Sequence, residues 1–306
     1  PANAFSTIDI TNKHGNIAFT AWEKDSIRID AWVTVKSTNS EEGEKVLDQI
    51  TVHSSRSEGT LRFQTRFHKE FYSAHPFQIR YDVYLPGKHT IIANNQFGNV
   101  TTTSMTGKMD IDLKYGDLIQ KGLGTIRELK GNFSFSDVQS GNLQNLNLHL
   151  SNTEINLDHV ESADITGKYC QLNIASAGKL KINANTCRLK SDQIRDLDLI
   201  GTFCFASLGE IEVHGHIEIN NGLLIIDSLK KELQKLSVKN NNAPVNLVIP
   251  EELSYTLHGE VTNGQFIHYH PQTLKIIKEM DQTSFSGSFQ APNQTGASIV
   301  LFNKNA

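Results

Sequence analysis

Tyr169-Cys170-Gln171-Leu172, Thr186-Cys187-Arg188-Leu189 and Phe203-Cys204-Phe205-Ala206 follow one another at equal intervals along the chain. The recurring phrase is an aromatic or polar residue, a small residue, a polar residue, then an apolar one. Working outward, it returns at Asn152-Thr153-Glu154-Ile155 and Asn221-Gly222-Leu223-Leu224. Earlier instances are Phe97-Gly98-Asn99-Val100, Tyr115-Gly116-Asp117-Leu118 and Lys130-Gly131-Asn132-Phe133. The small-residue column therefore runs Gly98, Gly116, Gly131, Thr153, Cys170, Cys187, Cys204 and Gly222, in steps of 18, 15, 22, 17, 17, 17 and 18. Repetition at this period is the signature of stacked structural units.

Each repeat holds two alternating runs. After the phrase, apolar residues recur at every second position, as in Ile155/Leu157 and Leu172/Ile174. A second run of the same kind appears in Met109-Ile111-Leu113, Leu146-Leu148-Leu150 and Leu180-Ile182, with polar residues between. Period two is the strand pattern, apolar on one face and polar on the other. A turn of about 18 residues cannot bury its own apolar face, but stacked turns pair every backbone group and share one core. The expected fold is all-β: a parallel β-helix or solenoid of ~18-residue rungs, right-handed by the general rule for parallel crossovers, with β-rich caps.

The flanks read as those caps. Residues 1–94 form an N-terminal β-rich region with an aromatic and basic insertion, 95–227 the repeats, and 228–306 the final rungs and cap, as one continuous domain. Strands are expected within 5–35, 50–53, 60–66 and 77–85, and again at 245–250 and 297–302. Residues 40–50 suit a short helix with Ser40 as N-cap and acids in its first turn, although Gly43 weakens it.

Composition narrows the function classes. Lys+Arg is 29 and Asp+Glu 33, so the formal charge is 29 − 33 = −4. That is no footprint for nucleic acid, and no polybasic segment faces anionic lipid. Asn is abundant (26) and Gly numbers 21, which suits a chain that bends often. No apolar run reaches the ~20 residues of a membrane span. The opening Pro1-Ala2-Asn3-Ala4 fits a mature chain whose leader has been removed and equally a cytosolic chain.

Together these phrases resemble the bacterial family called "putative adhesin", whose function is unknown. The matching segments are Thr11-Asn12-Lys13-His14-Gly15-Asn16-Ile17, Tyr84-Leu85-Pro86 before Asn95-Gln96-Phe97-Gly98-Asn99-Val100, the rungs, Asn246-Leu247-Val248-Ile249-Pro250, and Phe285-Ser286-Gly287. The resemblance implies a β-solenoid outside the cytoplasm. It carries over no functional residues.

Four groups of residues could bear chemistry. Cys170, Cys187 and Cys204 should stack as buried free thiols, since a straight ladder suits neither a metal nor a disulfide. Carboxylates are scattered over many rungs; stacked rungs could bring an acid pair together, for example around Glu154 and Gln171, but nothing marks one pair above the rest. His214-Gly215-His216 and His268-Tyr269-His270 are H-x-H phrases without a third ligand. No phosphate loop, G-x-S-x-G or C-x-x-C is present. No catalytic, metal or cofactor residue is assigned, and no cofactor is expected.

The fourth group, the densest aromatic and basic cluster, offers a ligand surface: Arg62, Arg66, Phe67, Phe71, Tyr72, Phe77 and Tyr81. Such mixtures stack on sugars and partner surfaces, and the weak alternation there suggests a protruding loop. The expectation is a non-enzymatic, extracytoplasmic surface module that contacts a glycan or a cell-surface protein. Its competitors are a β-helix polysaccharide lyase or hydrolase and an envelope scaffold that binds a protein partner.

Overall fold

The computed structural model describes residues 4–269, 274–289 and 296–305. The protein is all-β with a mixed sheet and one short helix. The chain forms two compact units, one up to Asn156 and one from Leu157.

In the first unit, β1 (Thr7–Lys13) and β2 (Ile17–Ala21) are the two runs of one rung, joined at His14-Gly15. After the flanking strands come β7 (Thr90–Gln96) with β8 (Val100–Thr103), then β9 (Lys108–Lys114) with β10 (Leu118–Lys121). The next rungs lie in β11 (Thr125–Leu229), a continuous run of paired extended backbone that bends at corner residues without losing its pairing. Parallel registers tie the rungs into two apolar columns. One holds Ile8, Ile91, Met109 and Leu129; the other holds Ile17, Val100, Leu118 and Val138. Every one of these eight side chains is buried, so the period-two alternation of the sequence is the core.

The rungs do not stack in chain order. β1 pairs with β7 on one side and with β5 (Thr60–Phe67) on the other, and β2 likewise lies between β8 and β6 (Phe77–Leu85). Outside them, β3 (Arg28–Val35) runs antiparallel to β6, and β4 (Ile50–Ser57) antiparallel to β5. The β4–β5 hairpin turns on Glu58 and Gly59, both at positive φ, the backbone that a tight hairpin loop requires. The sheet is therefore mixed rather than wholly parallel. Residues 62–84 are not a protruding loop, because most of them belong to β5 and β6.

Helix α1 (Ser40–Leu47) forms where the acids of its first turn suggested, but its N-cap is Asn39. The Asn39 carboxamide oxygen accepts from the Glu41 backbone N–H at 3.0 Å, so Ser40 is the first helical residue.

In the second unit, β11 pairs with β12 (Lys235–Asn241) and β13 (Val245–Leu247). Here too the chain doubles back. β17 (Ala297–Lys304) lies in parallel between β12 and β14 (Tyr255–Thr262), and β16 (Gln282–Phe289) and β15 (Lys275–Glu279) add an antiparallel edge. Among the described residues, no helix is long and apolar enough to cross a membrane.

One register differs from the sequence reading. Positive φ marks the first residue of each corner: Phe97, Tyr115, Phe135, Asn152, Tyr169, Thr186, Phe203 and Asn221. The third corner is thus Phe135-Ser136-Asp137-Val138, not Lys130-Gly131-Asn132-Phe133. Ser136 takes the small-residue position in place of Gly131, and the uneven steps of 15 and 22 become 20 and 17. Gly131 lies instead where the β9–β11 register is interrupted between Lys130 and Phe133, at φ 146°, and a Cβ there would meet the Ile111 carbonyl oxygen at 1.9 Å.

Candidate ligand-binding face: the corner column and the His14 pocket

Three columns meet at each corner. The first residue adopts the left-handed conformation, which costs an ordinary L-residue roughly 1–2 kcal/mol. The second packs against the neighbouring rung. A Cβ on Gly98 would sit 2.1 Å from the Gly15 carbonyl oxygen, and one on Gly116 equally close to that of Gly98. Ser136 and Thr153 fit the same column by turning their hydroxyls to backbone. Ser136 Oγ donates to the Ser134 carbonyl at 3.0 Å, and Thr153 Oγ1 to that of Ser151 at 3.1 Å. In the second unit, the equivalent corner position is taken by Cys170, Cys187 and Cys204 as buried free thiols, with Cys187 in hydrogen-bonding contact with both others.

The third column is polar and self-bracing. Asn16 Oδ1 accepts from the Asn99 N–H at 2.8 Å, Asn99 Oδ1 from that of Asp117 at 2.9 Å, and Asp117 Oδ1 from that of Asp137 at 3.1 Å. Burial, then the charges of Asp117 and Glu154, raise the Asp137 carboxyl above its usual range.

The first column faces outward, and in the first unit it is aromatic. His14 stacks on Phe97 (ring centroids 5.1 Å, planes 7° apart), Phe97 on Tyr115 (5.1 Å, 4°) and Tyr115 on Phe135 (5.1 Å, 17°). The spacing is close to the ~4.8 Å separation of neighbouring strands. Stacked aromatic pairs contribute about 0.5–1.5 kcal/mol each, which offsets much of the left-handed backbone cost. Even so, Phe97, Tyr115 and Phe135 remain 45%, 43% and 51% exposed. Lys13 Nζ lies 5.7 Å from the Phe97 centroid, and Lys114 Nζ 5.2 Å from that of Tyr115. In the second unit, the corners include exposed Tyr169 and Phe203 and then a hydrogen-bonded asparagine series, with Asn242 Nδ2 donating to Asn221 Oδ1. Asn tolerates the left-handed region most readily.

At the head of the aromatic column lies a pocket of about 340 Å³. His14, Phe97, Asn16, Thr34, Lys36, Pro76 and Gln78 are among the residues that line it. Burial, then Lys13, lower the pKa of His14 from its ordinary 6.5. Phe77 and Phe67 contact His14 edge-on at 5.2 and 6.1 Å.

The residues read as a ligand surface from the sequence are thereby divided. Phe67, Phe71 and Phe77 form a half-buried three-ring cluster. Tyr81 is fully buried, its hydroxyl 2.8 Å from Thr65 Oγ1, so it cannot belong to a surface; its side chain alternates inward on β6. Arg62 is paired with Asp9 at 2.7 Å, Arg66 is exposed beside Gln64, and Tyr72 is exposed. What the sequence reading missed is the first column itself, whose aromatics sit in the opening slot of the repeated phrase.

The histidine phrases bring no metal site together. His214 Nδ1 lies 2.6 Å from an Asp196 oxygen, and His216 is 3.8 Å from Glu218. His268 stacks near Phe266, and His270 lies outside the described residues. Among the described residues, no cluster of three or more His, Cys, Asp or Glu could hold a metal.

These features define an all-β protein of short stacked strands whose corners carry an exposed aromatic column. Residues 5–288 match the model of the Toastrack DUF4097 family, a domain family of unknown function, and the chain belongs to that family. The resemblance drawn from the rung phrases to an adhesin-like family of unknown function is borne out. No curated protein matches the chain. Among solved structures, a Clostridium sporogenes chain named "putative cell adhesion protein" is 8% identical with a TM-score of 0.21, over 100% of this chain and 92% of that one. A Parabacteroides distasonis chain named "Putative lipid binding protein" is 14% identical with a TM-score of 0.39, over 80% of this chain and 92% of that one.

Proposed function

We propose that this protein is a non-enzymatic, extracytoplasmic β-solenoid, right-handed in its coil, that binds carbohydrate polymers along the corner column of its first unit. The observation that carries this reading is the stack of Phe97, Tyr115 and Phe135. Three half-exposed rings on left-handed backbone are an expensive way to make a corner that asparagine makes readily elsewhere in the same chain. Residues held in sparsely populated backbone regions cluster at functional sites, and a row of exposed ring edges flanked by Lys13 and Lys114 offers a polymer an apolar track with cations beside it. The parallel rungs hold the rings in line, one per strand spacing, as an extended polymer requires.

A second reading rests on the raised carboxyl of Asp137 beside Asp117 and Glu154. Two neighbouring carboxyls, one of them with its pKa raised, are the pair that glycoside hydrolases use. One assay separates the two. The full chain is incubated with a panel of polysaccharides, and both retention on each polymer and release of new reducing ends are measured. Retention without release, lost when Tyr115 and Phe135 are changed together to Asn, is the expected result. New reducing ends would make Asp137 a proton donor; neither signal would end the carbohydrate reading in favour of a protein partner.

A further inference from the structure

We propose that the pocket at the head of the aromatic column, between His14, Phe97 and Lys36, is a subsite for a carboxylate-bearing sugar residue of an acidic polysaccharide. The inference rests on the carbohydrate reading above and specifies its ligand class.

Four observations point the same way. First, none of the pocket's described lining residues is Asp or Glu, although the chain as a whole has formal charge −4. Second, Lys36 has no ion pair among the described residues, and neither does Lys13, whose ammonium group lies 5.7 Å from the Phe97 ring centroid. The groove of about 400 Å³ in the second unit makes the contrast, because its Lys239 faces Glu218 at 3.9 Å. Third, the rings present the right pole. Stacking covers the faces of Phe97 with His14 on one side and Tyr115 on the other, which leaves the ring edges outward. An aromatic quadrupole is positive at its edge, and the Lys13 and Lys114 ammonium groups lie beside these rings, so the surface offers positive potential to an anion.

Fourth, the polar groups are set for a sugar. Thr34 and Gln78 are direct partners in the antiparallel β3–β6 pair, so their side chains share a face. Lys36 follows two positions after Thr34 on that face, and its backbone N–H is fixed by the Pro76 carbonyl at 2.9 Å. Asn16 Oδ1 is occupied by the Asn99 N–H, which leaves its amide hydrogens to donate. The wall thus offers an ammonium group for a carboxylate, and a hydroxyl and two amides for ring hydroxyls. A volume of about 340 Å³ falls at the small end of the ~300–1,000 Å³ range of ligand pockets, fit for one sugar residue of a chain that continues along the column.

The test is isothermal titration of the full chain with polygalacturonate, alginate and hyaluronan, with neutral dextran and with dextran sulfate. Binding to at least one uronate polymer and not to dextran is expected. Lys36→Gln should weaken it about tenfold or more, the scale of a lost hydrogen bond to a charged group, while Lys168→Gln, exposed in the second unit, leaves it unchanged. Equal binding of dextran, or full affinity in Lys36→Gln, overturns the acidic subsite but leaves the carbohydrate reading standing. Tightest binding to dextran sulfate, weakened alike by both lysine substitutions, overturns it as mere polyanion attraction. Failure to bind any polymer overturns both readings.

Discussion

Replacing Cys187 with aspartate tests the dry small-residue column most sharply. The thiol is 3% exposed and lies between those of Cys170 and Cys204. Hydrogen bonding to those two, together with burial, drives its pKa upward, so the site rejects negative charge. A carboxyl there should hold its proton, with a pKa raised from ~3.9 to about 7. At about 1.4 kcal/mol for each tenfold change in proton affinity, the cost at pH 7 is about 4 kcal/mol. The sign follows from proton binding. A raised folded pKa means that the folded state holds the proton more tightly, so the deficit shrinks as pH falls from ~7 toward ~4. Cys187→Ser supplies the control, since its hydroxyl can donate to the carbonyl two positions back, as Ser136 and Thr153 do; its cost should be no more than about 1 kcal/mol. The assay is urea unfolding of the three proteins at pH 7 and pH 4.5. A Cys187→Asp protein as stable as wild type at pH 7, or equally impaired at both pH values, would refute inward packing.

Gly98→Ala should destabilise by about 1–3 kcal/mol or more, because its Cβ would stand 2.1 Å from the Gly15 carbonyl oxygen and rigid backbone must move; thermal unfolding reads the loss, and an unshifted midpoint contradicts the close approach. His14 titrates below its ordinary 6.5 because of burial and Lys13, so the unfolded chain takes up its proton first and stability drops as pH falls through 6.5. His14→Phe keeps the stack without the titration. Its stability relative to wild type should rise between pH 7.5 and pH 5.5, and a constant difference would show that His14 is not coupled to folding.

Much of the fold was legible because a thin core must announce itself at every rung. Alternation in Met109-Ile111-Leu113 and the phrases at Cys170, Cys187 and Cys204 gave both the strands and their period. The misplaced third corner arose because Lys130-Gly131-Asn132-Phe133 imitates the phrase. The steps of 15 and 22 were the available warning, and Phe135-Ser136-Asp137-Val138 satisfies the pattern with more even steps. The antiparallel strands β3 and β4 were not legible as such, since period two is the same in either direction. The candidate site was only half legible. Aromatic density pointed to residues 67–81, yet density there reflects packing, as Tyr81 shows. The exposed column was hidden because its members stand a full rung apart in the chain and meet only through the stacking register.

The return of the chain into its own stacks fixes an order of assembly. Ile8 finds one neighbour in Leu61 and the other in Ile91, both far along the chain from it. Leu301 must enter between Val238 and Gly259, which were made long before it. A strand gripped on both sides cannot peel away singly; two ladders must open to release it. During synthesis from the N-terminus, β1 waits for β7 before its second ladder can close, and β12 and β14 must hold a gap open until β17 emerges. Until then each unit carries unpaired strand edges in its interior, so the interval before closure is when a chaperone that shields those edges matters most.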